Sequence, residues 1–161
     1  MTERKSAAMM LQEIKFGSAE FRRECELRNK VLRIPLGLSL FDEDLSHENQ
    51  QLHFGLFDPE GNLVACVIAA ACSPTEAQIR QMAVCDEHRG KGYGRNIISA
   101  IENKLAQQGF TYLFMHARMT AVGFYEKLGY VTVGQEFLEI GIPHVKMEKS
   151  LLHPSKPRTA I

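Results

Sequence analysis

Residues Thr75 to His116 read TEAQIRQMAVCDEHRGKGYGRNIISAIENKLAQQGFTYLFMH, and this stretch decides the fold. Ser73-Pro74 breaks the chain just before it, so Thr75 to Cys85 reads as a strand. Asp86 to Gly94 is charged and glycine-rich, the composition of a loop. From Arg95 to Gln107, Ile97, Ile98, Ile101 and Leu105 fall on one face of an amphipathic helix. Gly109 stands just past its end, where a left-handed glycine closes helices. Phe110 to His116 reads as a second strand. Two strands joined through a helical crossover run parallel.

Outward from this unit, the pattern changes. On the N-terminal side, Met9 to Phe16 alternates and predicts a strand. Ser18 is an N-cap for an amphipathic helix over Ala19 to Arg33, with Phe21, Cys25, Leu27, Val31 and Leu32 on its apolar face and Pro35 ending it. Leu36 to Gln50 reads as a loop. Leu52 to Phe57 and the almost wholly apolar Leu63 to Cys72 are strands around the turn Asp58-Pro59-Glu60-Gly61-Asn62, and with Thr75 to Cys85 they predict an antiparallel meander. On the C-terminal side come a short helix, Thr120 to Leu128, closed by Gly129, and the strands Tyr130 to Ile140 and His144 to Lys149, separated by Gly141-Ile142-Pro143. The order predicts a mixed sheet in an α/β (α+β) class, with helices on both faces. The polar, proline-containing tail from 153 to 161 is predicted to be disordered, leaving 1–152 as a single domain.

The segment Arg89-Gly90-Lys91-Gly92-Tyr93-Gly94-Arg95 sits between strand and helix. Glycines let backbone N–H groups converge, and the helix dipole adds positive character, so the segment suits a phosphate or pyrophosphate. Gly-Lys-Ser and Gly-Lys-Thr are absent from the chain, which excludes a P-loop. The third glycine of the dinucleotide fingerprint is also missing: the required position is Arg95 counted from Gly90, and Ile97 from Gly92. What fits is R-x-x-G-x-G, as Arg89, Gly92 and Gly94.

Ile79 to Arg95 (IRQMAVCDEHRGKGYGR), followed by Phe124 to Tyr130 (FYEKLGY), resembles the GNAT family of N-acetyltransferases. The resemblance runs over roughly Leu63 to Lys149, and R-N-K-V-L-R-I-P-L-G-L with G-I-P-H is similar to the small bacterial ElaA-like branch. It implies a mostly antiparallel twisted sheet of about seven strands. It implies acetyl-CoA as acyl donor, with no metal, and an amine acceptor reached by direct transfer in a ternary complex. It assigns Arg89, Gly90, Lys91, Gly92, Tyr93, Gly94 and Arg95 to the pyrophosphate. It assigns the backbone of Met82, Ala83 and Val84, freed by a bulge, to the pantetheine arm and the oxyanion. Tyr125 stands where the family's general acid lies, and its ordinary pKa of about 10 suffices to protonate a thiolate.

The general base is left open. Several relatives place a glutamate near the position of Gln78, and Glu76 is the only acid on that strand. His116, Glu139 and His144 are the alternatives, histidine being suited by an ordinary pKa of about 6.5. Arg118 replaces an asparagine common in relatives, while Ala121 keeps the family's small residue. The resemblance also places the region of Asp42, Glu43, Asp44 and Glu48 beside the acceptor, where acids would attract a cationic amine. Arg28 and Arg33 are competing partners for those acids.

Composition narrows the alternatives. Lysine plus arginine is 19 and aspartate plus glutamate is 19, so the net charge is zero. Phosphate contacts to nucleic acid need clustered cations, which argues against a charged-tRNA substrate. No apolar run reaches membrane-span length, no signal-peptide core follows Met1, and cytoplasmic localisation is expected. Cys25, Cys66, Cys72 and Cys85 lack metal-site or Cys-x-x-Cys spacing and read as reduced, mostly buried thiols. The rival to an acetyltransferase is a non-catalytic acyl-CoA sensor of the same fold. A homodimer is expected from the resemblance alone.

Overall fold

The computed structural model describes residues 9–152, so the expected tail lies outside it. The strands are β1 (Met10–Ile14), β2 (Leu52–Phe57), β3 (Leu63–Ala71), β4 (Glu76–Val84), β5 (Tyr112–Arg118), β6 (Val131–Glu139) and β7 (Ile142–Ser150). The helices are α1 (Ala19–Leu32), α2 (Tyr93–Gln107) and α3 (Val122–Glu126). The sheet order is β1-β2-β3-β4-β5-β7-β6. β4 and β5 run parallel, as the crossover requires, while β1–β2, β2–β3, β5–β7 and β6–β7 are antiparallel. The mixed α+β class with seven strands is therefore as read. The chain clusters into two compact units, Met1–Ala70 with Gln81–Ile101, and Ala71–Arg80 with Glu102–Ile161, so the division falls inside β4 and inside α2. No helix among the described residues is long and apolar enough to cross a membrane.

In the first unit, Val64 to Ile68 of β3 are fully buried, as expected for a strand covered on both faces. Each large aliphatic side chain so buried contributes about 1.5–3 kcal/mol. Asp58 Oδ1 accepts the N–H groups of Glu60 and Asn62 at 3.0 and 2.8 Å, closing the turn between β2 and β3. Ser18 caps α1 by accepting the Phe21 N–H at 3.1 Å. The apolar face of α1 meets the sheet through Leu27, which packs with Cys66 and Ala83. Two charged residues of α1, Glu24 and Arg28, are fully buried as well, which the hydrophobic pattern does not reveal. After α1, the expected loop is organised into three short 3-10 turns, Ile34–Leu36, Leu40–Asp42 and Ser46–Gln50.

In the second unit, β5 begins two residues later than expected, and Leu113, Met115 and Ala117 alternate into the core. The third helix is shorter than the expected Thr120 to Leu128, because Met119–Ala121 winds as a 3-10 turn. Glu102 ties the unit together. It accepts the Tyr130 hydroxyl at 2.8 Å and Lys149 Nζ at 3.1 Å, and Lys149 also donates to the Leu128 carbonyl. The expected Gly141-Ile142-Pro143 break is corrected. Glu139 pairs with Ile142 across the hairpin, and Ile140 (φ 46°) and Gly141 (φ 80°) form a two-residue turn. Both central residues have positive φ, the type I′ geometry that matches strand twist. Pro143 thus lies near the start of β7, where its missing N–H is tolerated.

Candidate active site

The glycine segment belongs to the first unit. Asp86–His88 makes one 3-10 turn, and Arg89 Nε then meets Asp86 Oδ1 at 3.2 Å on the surface. Gly90 (φ 78°) and Gly92 (φ 84°) adopt left-handed backbone, and a Cβ at either would meet nothing within 4 Å. These glycines are required by conformation rather than by crowding. α2 begins at Tyr93, two residues earlier than the pattern suggests, because the Gly92 carbonyl already accepts the Asn96 N–H at 3.0 Å. Gly94 and Arg95 therefore lie in the first helical turn, whose N–H groups lack intrahelical acceptors. Lys91 and Arg95 are exposed, with no acidic partner among the described residues. His88 packs edge-on against Tyr93, and its Nδ1 is a buried nitrogen without a hydrogen-bond partner among the described residues.

The strand leading into this loop is irregular. Gln81 of β4 has φ 57°, a left-handed value rare for a residue with a side chain. Registered pairing of β4 with β5 covers Glu76 to Ile79 and stops before it. The backbone of Met82, Ala83 and Val84 follows directly; Ala83 is buried, and Met82 and Val84 are half-buried.

The remaining candidates belong to the second unit, where two of them are hydrogen-bonded and a third shares the neighbour Phe137. His116 Nδ1 lies 2.8 Å from Glu139 Oε1, joining two candidate bases that the sequence keeps 23 residues apart. Phe137 packs edge-on against His116 and stacks on His144, with ring centroids at 5.1 and 6.1 Å. His144 is buried and its Nδ1 lies 2.9 Å from the Ile142 carbonyl. A carbonyl and a carboxylate are acceptors, so Nδ1 carries the hydrogen on both rings when they are neutral, leaving each Nε2 with a lone pair. Tyr125 sits in α3, 7% exposed, its ring against Phe124 and Tyr130. Burial alone pushes its pKa well above the ordinary tyrosine value, so the hydroxyl stays protonated at neutral pH.

Of the two readings of the acidic segment, the structure shows the pairing with Arg28 and Arg33 for two of its acids. Glu48 is buried and forms a two-pronged ion pair with Arg28, and Glu43 meets Arg33 Nε at 2.6 Å. Only Asp42 and Asp44 of the four acids stand exposed and without such an ion pair, so the segment does not present a fourfold acidic surface. Glu24, Glu48 and His53 bring ligand-type atoms within 4.8 Å of one another, but the Arg28 guanidinium donates to both carboxylates and fills that centre.

All four cysteines are free. Burial pushes the Cys25 thiol up to about 11 and Cys66 further, and burial with the Glu87 contact raises Cys85. These three offer little thiolate at neutral pH.

The family model described as an acetyltransferase (GNAT) domain matches residues 39–151. Bacillus subtilis YyaT, an uncharacterized protein, is 39% identical over 75 residues, covering 47% of this chain and 51% of that protein. The chain thus spans about half the length of the curated relatives it matches. A Lactobacillus plantarum structure solved as a candidate N-acetyltransferase aligns at TM-score 0.79 with 26% identity, over 90% of this chain and 99% of that one. Escherichia coli ElaA shares the fold at TM-score 0.74 with 18% identity, over 88% of this chain and 99% of its own.

Proposed function

This chain belongs to the GNAT acetyltransferase family, whose members generally move acyl groups from acyl-CoA to amines, and on that premise we propose that it transfers acetyl from acetyl-CoA to a primary amine within a ternary complex. The observation that carries the reading is the segment at the start of α2. Two left-handed glycines, helical N–H groups without intrahelical acceptors, and the exposed cations Lys91 and Arg95, which have no acidic partner among the described residues, suit a pyrophosphate. In this reading Arg89 to Arg95 hold the CoA pyrophosphate. The amides of Met82 to Val84 donate to the thioester oxygen as negative charge develops there.

His116 Nε2 takes a proton from the attacking amine while Glu139 orients the ring and stabilises the imidazolium. The amine nitrogen bonds to the carbonyl carbon, the C–S bond breaks, and Tyr125 gives its proton to the leaving thiolate. The proton on His116 returns to the tyrosinate through solvent, so the enzyme is regenerated. His144 is the weaker candidate base because it is buried and its Nδ1 is tied to the backbone. An acyl-CoA sensor would need the α2 segment but not the His116–Glu139 pair, which favours the enzyme.

The test is thiol release from acetyl-CoA across a panel of amines. Turnover with at least one amine is expected, falling about 100-fold in His116→Ala and in Tyr125→Phe. Acetyl-CoA binding with no turnover on any amine overturns the catalytic reading in favour of the sensor.

A further inference from the structure

Arg28 of α1 is completely buried, an expensive place for a guanidinium unless every donor has a reason to be there. Its Nη1 donates to Glu24 and Glu48, both at 2.9 Å, and its Nη2 to Glu48 at 2.7 Å. Its Nε donates to Gln81 Oε1 at 3.3 Å. His53, also buried, places Nδ1 2.9 Å from Glu24 Oε2 and Nε2 2.9 Å from the Glu48 carbonyl. Both ring nitrogens therefore face acceptors, and with ionised Glu24 both must donate, which makes His53 an imidazolium. Two carboxylates and two cations then sum to zero charge inside the unit.

From this balanced set the Arg28 Nε reaches out to Gln81, the left-handed residue of β4. A left-handed residue with a Cβ is strained and persists where its surroundings over-determine it. Two groups do so here. Arg28 holds the side chain, and the Cys66 thiol donates to the Gln81 carbonyl at 3.7 Å. One such residue breaks the regular alternation of a strand and re-aims the peptide groups after it. Those groups belong to Met82, Ala83 and Val84.

We propose that Arg28 is a positioning residue: its hydrogen bond to Gln81 holds the left-handed turn in β4 that aims the Met82–Val84 amides at the acyl-thioester end of acetyl-CoA. Glu24, Glu48 and protonated His53 hold Arg28 in turn. The functional consequence rests on the assignment of those amides to acetyl-CoA. The geometric part does not.

The experiment has two arms on the full chain. Without CoA, the backbone NMR shifts of Gln81 to Val84 are compared in the unsubstituted protein, Arg28→Lys and Gln81→Leu. Arg28→Lys keeps a cation between the carboxylates, and Gln81→Leu leaves the charged set intact while removing its acceptor. Both are expected to move Gln81 away from left-handed shifts; unchanged shifts overturn the clamp. In the second arm, acetyl-CoA affinity is measured calorimetrically for Arg28→Lys with and without Gln81→Gly. Glycine adopts a left-handed φ freely, so it should relieve the need for the clamp. The expected weakening is about tenfold in Arg28→Lys alone and less than about threefold with glycine at 81. Equal weakening in both backgrounds marks Arg28 as merely structural and overturns the positioning role. No acetyl-CoA binding by the unsubstituted protein overturns the acetyl-CoA reading and that role with it, while the shifts still decide the clamp.

Discussion

Lys91 and Arg95 stand exposed at the start of α2 with no acidic partner among the described residues, whereas Arg28, in the same compact unit, is sealed from solvent and donates to two carboxylates. The physical cost differs accordingly. A solvated cation keeps its hydration and remains available to an anion arriving from outside. A buried cation loses hydration and must be neutralised by groups the fold supplies. Charges of one sign and similar chemistry therefore carry opposite duties. The exposed set is open to a ligand, and the buried set is neutralised by the fold and reaches Gln81.

The sharpest way to break this contrast is Arg28→Met. It removes the guanidinium from between two buried carboxylates, and breaking a buried pair of this kind costs about 3–5 kcal/mol. A urea titration should show that loss, and a midpoint close to the unsubstituted value would mean the buried set is not balanced by Arg28.

The second effect is a pH dependence. Burial pulls the His53 pKa down, but the hydrogen bond and charge of Glu24 outweigh it, and the net shift is upward from 6.5. The folded protein therefore binds the His53 proton more tightly than the unfolded chain. That stabilisation is complete below about pH 6.5 and is lost as pH rises through the raised folded value. Urea midpoints should fall on the alkaline side, and His53→Gln should flatten that decline. A decline of the same size in His53→Gln would assign the dependence to another group.

Gly92→Val comes third. At φ 84° any side chain with a Cβ is strained by about 1–2 kcal/mol, but the Cβ itself meets open space. Thermal stability should fall slightly while acetyl-CoA affinity falls sharply. Unchanged affinity with the fold intact would remove the segment from the site. The smallest effect belongs to Lys91→Ala. It should leave the melting temperature unchanged and weaken acetyl-CoA binding severalfold, with a loss that shrinks as salt rises. A salt-independent loss would show that Lys91 does not act as a solvated cation.

Much of the fold was legible in the chain. Ile97, Ile98, Ile101 and Leu105 were recognisable as one helical face, and all four are buried. The parallel pairing of β4 with β5 followed from the crossover between them. The Ile140-Gly141 turn was misplaced because Pro143 looked like a breaker, while pairing with Leu138 draws it into the ladder. The glycine segment was legible because positive φ is a local demand that glycine meets. His116 and Glu139 were each visible as candidates, but their hydrogen bond was not. Glu24 and His53 were missed entirely. The Glu24–Arg28 spacing of one helical turn was available as a signal, yet polar residues on a helix ordinarily face water.

The sequence by itself determined the order of elements, the left-handed glycines and the cationic start of α2, because periodicity, turn chemistry and helix-end polarity act over a few neighbouring residues. Tertiary structure alone decided which charges are buried and whom they meet. Arg28 reaches Glu48 across 20 positions and Gln81 across 53, and the desolvation that makes those contacts obligatory exists only once the elements have packed.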